Sequence, residues 1–286
     1  MDSDVDVYKK TFKLYKNWQP DSSLPLLAPG EDIDTNIFEL FRLNQKLNLP
    51  DDCQYRDHFH SSDQWLSYRT IKSIDGLMII KNIFKPQYRS DWFEWFLDEL
   101  PLKSNDLNLK SNIDLKQCHS SNAKINLRWI TFGYHHDWDR KIYDLEQKVI
   151  KIPDRIEICC KIIAKVLRIE FKPEAGIVNY YPRSSSLGFH TDHSEPNQQA
   201  PLFSFSFGSS AIFLIGGPEK SSSKPILPIR LDDGDLVVMS GESRKALHSI
   251  PKVLTEITKP PGTSSSKKIF RINLNVRQMF FSDCKC

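Results

Sequence analysis

Residues 188–192, Gly188-Phe189-His190-Thr191-Asp192, are the stretch around which the rest of the chain is arranged. If this stretch forms a strand, His190 and Asp192 point to the same side, because strand side chains alternate with a period of two. One imidazole and one carboxylate facing together supply two of the three ligands of a 2-His-1-carboxylate iron site. His248, in the segment Arg244-Lys245-Ala246-Leu247-His248-Ser249, is the candidate third ligand.

The segment from Phe270 to Arg277 also alternates with a period of two. Its apolar side chains face one way: Ile272, Leu274 and Val276. Its polar side chains face the other: Arg271, Asn273 and Arg277. A strand with guanidinium groups on one side suits a dicarboxylate held inside a barrel, since arginine offers a carboxylate a rigid fork of donors. The order of these motifs along the chain indicates iron together with 2-oxoglutarate.

Each motif has an ordinary explanation when it stands alone. A bare His-x-Asp is usually a loop or a satisfied polar pair, a single histidine usually lies on the surface or in the core, and arginines can form a solvated face. The His-x-Asp motif, the later histidine and the two arginines rarely occur by chance in this order on predicted strands. His58 and His60 are interpreted as structural, because the sequence offers no partner ligand for them.

Composition indicates a soluble protein whose 286 residues suffice for one large domain, or for one domain with an extension. The 39 basic and 36 acidic residues give a net charge of +3, too small to indicate nucleic acid by itself. No apolar run predicts a transmembrane helix. The acidic start, Met1-Asp2-Ser3-Asp4, is unlike a secretory or mitochondrial signal. Cysteine usage favours a reducing compartment, so we expect an intracellular protein, nuclear or cytoplasmic rather than mitochondrial.

Four helices are predicted outside the strand-rich region. They span Val5 to Asn17, Ile33 to Leu47, Gln87 to Leu100 with Pro86 at its start, and Arg155 to Phe171. The first has aromatic residues at helical spacing among lysines. Its aromatic side is expected to dock on the main domain, with a phosphate contact by the lysines as the alternative. Residues 19–32 are rich in proline and are interpreted as a linker.

The predicted strands begin with Ile71 to Ile80 and then crowd together after the last helix. They span Ile177–Tyr181, Leu187–Asp192, Leu202–Gly208, Ala211–Ile215, Ile226–Leu231, Asp235–Ser240, Lys245–Ile250 and Ile269–Phe280. Short strands separated by turns predict an α+β protein with a double-stranded β-helix core, jelly-roll or cupin-like, flanking helices and an N-terminal helical extension. We divide the chain into an extension and linker at residues 1–70 and a main domain at residues 71–286.

Several motifs in the main domain resemble those of the AlkB-type Fe(II)/2-oxoglutarate dioxygenases. They are Asn179-Tyr180-Tyr181, His190-Thr191-Asp192, Ser204-Phe205-Ser206-Phe207-Gly208, Gly234-Asp235-Leu236, Ser240-Gly241-Glu242-Ser243-Arg244, His248 and the Arg-x-Asn-x-x-x-Arg of residues 271–277. The stretch from Leu127 to Asp139 resembles the eukaryotic AlkB homologues that act on methylated bases in tRNA and DNA. The resemblance covers residues 71–281.

The resemblance implies a role for each matching residue. The ligands of Fe(2+) would be His190, Asp192 and His248. The cosubstrate 2-oxoglutarate would be bound by Asn179, Tyr181, Arg271, Asn273 and Arg277. The two arginines would grip its two carboxylates, and O2 would bind at an open iron position. His193 lies one residue off the face shared by the ligands and is not counted among them.

The substrate pocket is implied by the same resemblance. Trp129 and Tyr134 fall in the nucleotide-recognition lid, at residues 120–145, where aromatic side chains stack on a flipped base. Trp138 is either a further stacking residue or part of the lid core. The bacterial repair enzymes have an acidic residue two positions after the His-x-Asp aspartate, where it contacts the base. This chain has Ser194 there, followed by Glu195, which leaves the identity of the base open.

The implied reaction is oxidative demethylation of N-methylated bases in nucleic acid, in tRNA, DNA or both, with release of formaldehyde, succinate and CO2. The partner would be nucleic acid, without membrane contact, and we expect a monomer. One alternative is a 2-oxoglutarate oxygenase of the same fold that acts on protein or lipid. The other is a nucleic-acid-binding homologue without turnover, against which the intact triad and both arginines argue.

Overall fold

The structure, a computed structural model, describes residues 6–31, 34–43, 54–103, 128–137, 140–146, 149–255 and 269–281. Its strands are β1 (Phe38–Arg42), β2 (Leu66–Thr70), β3 (Leu77–Lys81), β4 (Trp129–Gly133), β5 (His135–Asp137), β6 (Ile142–Asp144), β7 (Ala175–Pro182), β8 (Leu187–His190), β9 (Leu202–Gly208), β10 (Ser210–Ile215), β11 (Leu227–Leu231), β12 (Leu236–Met239), β13 (His248–Leu254) and β14 (Ile269–Arg277). Its helices are α1 (Val7–Lys16), α2 (Pro86–Glu94), α3 (Leu100–Lys103) and α4 (Asp154–Leu167). A π-helical turn at Trp95–Glu99 joins α2 to α3.

Two antiparallel sheets form the core. The major sheet has the strand order β1-β2-β3-β12-β9-β14-β7-β4, and the minor sheet has the order β11-β10-β13-β8. Apolar side chains of both sheets share one buried cluster, with Tyr181 and Val237 from the major sheet and Phe213 and Ile229 from the minor sheet. This is the sandwich of a jelly roll, which the spacing of the predicted strands indicated. Strands β5 and β6 form a separate hairpin.

The other face of the major sheet is covered by α2, the π-helical turn and α4. Their side chains, such as Trp92 and Ile163, lie in one buried cluster with Ile272, Leu274 and Val276 of β14. Burying a large apolar side chain contributes about 1.5–3 kcal/mol each, so this cluster holds β14 firmly between the helices and the minor sheet. The alternation predicted for β14 is confirmed, and its polar side chains therefore face the inside of the sandwich.

The helix α1 is confirmed and packs its aromatic side on the minor sheet. The Asp6 side chain caps its first turn by accepting from the Lys9 backbone N at 3.0 Å. The ring of Tyr8 meets the ring of Phe189 edge-on at 4.9 Å, and Tyr15 lies in a buried cluster with strands of the minor sheet. Because Phe189 precedes His190, α1 supports the end of β8 from outside.

The predicted helix from Ile33 to Leu47 is wrong where the structure describes that segment. Residues 38–42 form β1, which pairs antiparallel with β2. Phe38 is buried between the sheets, whereas Leu40 and Phe41 remain exposed on the sheet edge. The apolar spacing fitted a helix, but backbone hydrogen bonds to β2 and burial of Phe38 favour the strand.

The predicted strand from Ile71 to Ile80 is instead a connection followed by β3. Strand β2 ends at Thr70, and the chain turns through Gly76, which has φ +77°. A Cβ atom there would lie 2.0 Å from the Ser240 carbonyl oxygen, so the turn requires glycine. Both β1 and β2 belong to the major sheet although they precede residue 71. The division of the chain at residue 70 stays a prediction.

Several other element boundaries differ from the prediction; β14, for example, ends at Arg277 rather than at Phe280. Helix α4 ends at Leu167 rather than Phe171, because Arg168 adopts a left-handed conformation that ends the helix. The strand predicted to begin at Lys245 begins only at His248, because Gly241–Lys245 forms a 3-10 turn. The helix predicted from Gln87 to Leu100 is confirmed, with the π-helical turn inside it. Within the described ranges, no helix has the length and apolarity to cross a membrane.

Candidate active site

The three predicted metal ligands converge where β8 ends and β13 begins. These strands pair with His190 directly opposite His248, and the two ring centroids are 4.3 Å apart. Asp192 joins them, and one ligand atom from each residue lies within 4.8 Å of the other two. The strand ends at His190 and does not reach Asp192 as predicted. The carboxylate therefore approaches from the following loop rather than by strand alternation.

Backbone carbonyls orient both imidazoles. Nδ1 of His190 lies 3.0 Å from the Gly188 carbonyl oxygen, and Nδ1 of His248 lies 2.9 Å from the Ala246 carbonyl oxygen. A carbonyl can only accept, so each Nδ1 carries the proton and each Nε2 keeps its lone pair for a cation. Burial, followed by the neighbouring His190, lowers the pKa of His248 to about 4. The ring is therefore neutral near pH 7, which is the form that binds metal.

The two carboxylate oxygens of Asp192 have different surroundings. Oδ1 accepts from Nη2 of Arg277 at 2.9 Å. Oδ2 lies 3.9 Å from Nε2 of His248, is buried, and has no hydrogen-bond partner among the described residues. Burial alone would raise the pKa of Asp192, but opposing influences led by the charge of Arg277 hold it well below its usual range. An ionised, unpartnered oxygen facing two imidazoles fits a 2-His-1-carboxylate iron centre.

The residues predicted to bind 2-oxoglutarate lie on two neighbouring strands. Strands β7 and β14 pair with Asn179 opposite Asn273 and Tyr181 opposite Arg271. Nδ2 of Asn179 lies 3.5 Å from Oδ1 of Asn273, whose own Nδ2 donates to Oγ of Ser204 at 2.8 Å. The register of one strand pair thus places four of the five predicted residues side by side on the inner face.

Arg271 is a buried guanidinium without a carboxylate partner among the described residues. Its side chain is 1% exposed, Nη2 donates to Oγ of Ser206 at 2.8 Å, and Nε has no partner within those residues. Burial lowers the pKa of Arg271, against the opposing influence of Tyr181 and Asp235. A buried charge without its counter-ion is costly, so this position fits the carboxylate of 2-oxoglutarate.

Arg277 is placed differently from Arg271. Besides its bond to Asp192, its Nε lies 2.6 Å from Oε1 of Glu195. Burial alone would lower the pKa of Arg277, but the charge of Asp192 leads the influences that raise it. Nε and Nη1 of Arg277 are both buried without a hydrogen-bond partner within the described ranges, so the contact of Nε with Glu195 is an ion pair, and Nη1 contacts no carboxylate there. Contact between Arg277 and 2-oxoglutarate stays a prediction, and Nη1 is the donor that remains for it.

Trp129 and Ser194, two of the residues predicted for the substrate, lie on different elements, strand β4 and the loop after β8. Trp129 begins β4 opposite Asn179 of β7. Ser194 donates to the Lys141 carbonyl at 2.9 Å, and His136 Nε2 lies 3.1 Å from its Oγ. Because the Ser194 hydroxyl donates its proton to the Lys141 carbonyl, Nε2 of His136 is the donor in the bond between His136 and Ser194. These bonds tie the loop after β8 to the β5–β6 hairpin.

Tyr134, the third predicted substrate residue, packs against Phe280 near the end of the described chain. Its ring meets Phe280 edge-on at 5.3 Å, in a cluster with Tyr143 and Met279. Trp138 lies outside the described residues, as does the part of the predicted lid before residue 128. Contact of these aromatic residues with a base stays a prediction.

Sequence reasoning assigned no role to Glu195 and Arg244, which form a buried ion pair next to the ligands. Nη2 of Arg244 lies 2.9 Å from Oε2 of Glu195, and both side chains are 2% exposed. Nη1 of Arg244 donates to the Asp192 carbonyl at 2.6 Å. The signal available in the sequence was that each charged residue lies close in sequence to a metal ligand; it did not show that they pair.

His58 and His60 occupy ordinary structural positions. The ring of His58 stacks on Tyr88 with centroids 4.2 Å apart, and Nδ1 of His60 lies 3.2 Å from Oε1 of Gln64. Within the described ranges, the group with the spacing of metal ligands is His190, Asp192 and His248.

Comparison with known proteins places this geometry in a family. Residues 76–277 match the 2OG-Fe(II) oxygenase superfamily. Nucleic acid dioxygenase ALKBH1 of Homo sapiens is 30% identical over 278 residues, covering 87% of this chain and 70% of the relative. DNA N(6)-methyladenine demethylase ALKBH1A of Arabidopsis thaliana is 33% identical over 204 residues, covering 63% and 59%. The tRNA demethylase abh1 of Schizosaccharomyces pombe is 37% identical over 165 residues, covering 54% and 53%.

A solved structure, that of OsALKBH1, has the same fold. It aligns with a TM-score of 0.52 at 19% identity, covering 73% of this chain and 99% of that one. The family match spans the minor sheet, the major sheet apart from β1 and β2, the three converging ligands and the buried arginines, and the human relative extends over most of both chains. The chain therefore belongs to the 2OG-Fe(II) oxygenase superfamily, and within it to the AlkB family.

Proposed function

We propose that this protein is an Fe(2+)- and 2-oxoglutarate-dependent dioxygenase that removes methyl groups from nitrogen atoms of nucleic-acid bases. The observation that carries the oxidative chemistry is the convergence of His190, Asp192 and His248 on one point. The activities for which the relatives are named, nucleic acid dioxygenase, tRNA demethylase and DNA N(6)-methyladenine demethylase, support the substrate class.

When bound, iron and 2-oxoglutarate together with O2 supply the oxidation of the methyl group, with succinate and CO2 as products. The protein orients the ligands. The carbonyls of Gly188 and Ala246 hold both imidazoles as Nδ1–H tautomers, and Arg277 occupies Oδ1 of Asp192 so that Oδ2 is left for the metal. This arrangement fixes the ligand atoms before the metal binds, which is the contribution a protein makes to such a site.

Arg271 and Tyr181 form the end of the cosubstrate pocket. Both are buried, so a carboxylate bound there is shielded from water and meets charge-assisted donors. Burial, opposed by Arg271, raises the pKa of Tyr181 to about 12. The phenol therefore stays protonated near pH 7 and can donate to the same carboxylate.

The substrate base is proposed to enter between β4 and the β5–β6 hairpin. Trp129 begins β4 beside the cosubstrate residues, and Ser194, two residues after Asp192, is hydrogen-bonded to His136 of the hairpin. A flipped base needs an aromatic or apolar surface for stacking and polar groups for its edge, and these residues provide both. We further propose that α1 and the segment after it act as an extension that supports the minor sheet, because Tyr8 contacts Phe189.

The function is tested by incubating the full chain with Fe(2+), 2-oxoglutarate and O2 and with methylated tRNA or methylated DNA. Nucleoside mass spectrometry should show loss of a methylated base, matched by formaldehyde and succinate. A methylated peptide and a lipid serve as comparison substrates. Formaldehyde from the peptide or lipid but not from either nucleic acid would contradict the proposal.

The oligomeric state and compartment are further parts of the proposal. We propose a monomer that works in the nucleus, the cytoplasm or both. Light scattering on the eluted full chain should give a mass near 33 kDa, and imaging of a tagged full chain should show which compartment it occupies. A dimer mass or a mitochondrial signal would contradict these two points without affecting the chemistry.

A further inference from the structure

A closed ring of buried charged side chains begins and ends at Asp192. From its carboxylate the ring passes to Nη2 of Arg277 at 2.9 Å, and from Nε of Arg277 to Oε1 of Glu195 at 2.6 Å. It continues from Oε2 of Glu195 to Nη2 of Arg244 at 2.9 Å. Nη1 of Arg244 then donates to the backbone carbonyl of Asp192 at 2.6 Å, which closes the ring.

The ring is almost fully removed from solvent. The side chains of Arg277, Glu195 and Arg244 are 2–3% exposed, and that of Asp192 is 12% exposed. Two guanidinium groups face two carboxylates, so the ring carries no net charge of its own. Tyr143 adds a hydrogen bond from its hydroxyl to Oε1 of Glu195 at 3.3 Å.

Arg244 connects the two segments that carry the ligands. It lies in the turn Gly241–Lys245, which ends three residues before His248 at the start of β13. Besides the Asp192 carbonyl, it reaches the Ala200 carbonyl from Nε at 3.2 Å. One side chain thus holds both ends of the loop that begins with Asp192 and keeps this loop in register with the strand of His248.

Stability alone gives little reason for such an arrangement. Well-packed apolar side chains commonly replace a buried ion pair without loss of stability, whereas losing one partner leaves a costly unpaired charge. What an apolar replacement cannot supply is a fixed orientation for the Asp192 carboxylate, because that requires donors in specific directions.

We propose that Glu195 and Arg244 are a positioning pair that fixes the Asp192 carboxylate for one-oxygen binding of the metal. This inference rests on the proposed metal site. The ion pair between Glu195 and Nε of Arg277 keeps Nη2 of Arg277 on Oδ1. Arg244 holds the backbone of Asp192 and the far end of Glu195. Oδ2 is then the one Asp192 oxygen left to bind.

Glu195→Gln and Arg244→Lys test the pair. In Glu195→Gln the single amide oxygen can accept from only one of the two arginines. The amide NH2 group then faces a donor of the other arginine, so the ring of charged side chains opens. In Arg244→Lys the charge is kept, but one ammonium cannot reproduce the three separate contacts of the guanidinium. We expect each variant to bind Co2+ about 10- to 100-fold more weakly, as for other residues that orient a metal ligand.

The readout is anaerobic titration of the full chain with Co2+, followed by its visible absorption, which reports affinity and coordination geometry without turnover. Tyr180→Phe is the matched control. Its hydroxyl donates to the Phe96 carbonyl at 2.8 Å within the helix-facing core, so it removes a buried hydrogen bond away from the ring. Urea unfolding of all variants places them on one stability scale.

Weaker binding and an altered Co2+ spectrum in both ring variants, with both unchanged in Tyr180→Phe, would support the positioning role. Wild-type affinity and spectrum in Glu195→Gln and Arg244→Lys, whatever their stability, would overturn it. If the wild-type chain itself binds no Co2+, the proposed metal centre fails rather than this inference alone. The two failures are therefore distinguishable.

Discussion

The two carboxylate oxygens of Asp192 have different partners, and only part of this arrangement could be predicted from single residues. The spacing of His190, Asp192 and His248 was enough to predict that they meet, and the structure brings them within ligand distance of one another. The arginine on Oδ1 and the ion pair behind it were not predicted. Glu195 and Arg244 are far apart in sequence, and no local pattern records which buried acid faces which base.

Replacing His190 by alanine tests the metal site at the scale of one residue. The ring lies at the end of β8 and is only partly buried, so its loss should leave the fold intact. Because a metal ligand is lost outright, we expect succinate formation to fall more than about 100-fold, beyond the effect of losing a residue that only orients a ligand. Succinate is measured with 2-oxoglutarate in excess, and circular dichroism checks the fold. Turnover near the wild-type rate would remove His190 from the site.

Arg271→Lys tests the cosubstrate pocket. Lysine keeps the charge but loses the fork of donors, and one lost charge-assisted hydrogen bond costs about 1.5–3 kcal/mol. The KM for 2-oxoglutarate should therefore rise about 10-fold or more, with Co2+ affinity unchanged. Arg69→Lys is the matched control, since Arg69 lies on β2 against the ring of Phe41. An unchanged KM in Arg271→Lys would place the carboxylate elsewhere.

At the scale of elements, β14 and β1 show when the sequence suffices and when it does not. Alternation in β14 was decisive, because one face packs on helices and the other carries the arginines. The segment of β1 has apolar residues that suit a helix as well as a strand. Only Phe38 of this strand is buried. The segment is a strand rather than a helix because it pairs with β2, and a local sequence pattern cannot reveal that pairing.

The contact between α1 and β8 leads to a prediction about stability and activity together. Tyr8→Ala removes a buried ring from Phe189 and a hydroxyl that accepts from the Gly217 backbone N at 2.9 Å. Large-to-small changes of this kind cost about 3–5 kcal/mol, and β8 carries His190. We expect a lower free energy of unfolding in urea and weaker metal binding.

The control is Val7→Ala, because Val7 is exposed on the same helix. It should change the free energy of unfolding by less than about 0.5 kcal/mol. Equal effects of the two substitutions would contradict the docking role of α1.

At the scale of the whole molecule, the two sheets and the loop after β8 bring the parts of the site together. The minor sheet supplies the histidines, the loop after β8 supplies Asp192, and the major sheet supplies the arginines. The jelly roll could be predicted from the number and spacing of short strands. The strand order of the major sheet could not, since β12 lies between β3 and β9 only through long-range pairing.

Because folding brings the three metal ligands together from separate parts of the chain, metal binding should stabilise the folded state. A ligand at 100 times its Kd adds about 2.7 kcal/mol, and at roughly 2 °C per kcal/mol for a chain of this size the Tm should rise by about 5 °C. Thermal unfolding with Co2+ and with a chelator measures the shift. His190→Ala should lose it, and an equal shift in that variant would indicate binding at another place.

An anomalous-difference map from crystals grown with Mn2+ and 2-oxoglutarate without O2 shows directly whether the three ligands bind one metal ion. We predict one strong peak bounded by Nε2 of His190, Nε2 of His248 and Oδ2 of Asp192. We also predict 2-oxoglutarate density from that peak to the guanidinium of Arg271. No peak among these three atoms, or a peak with the cosubstrate away from Arg271, would contradict the account.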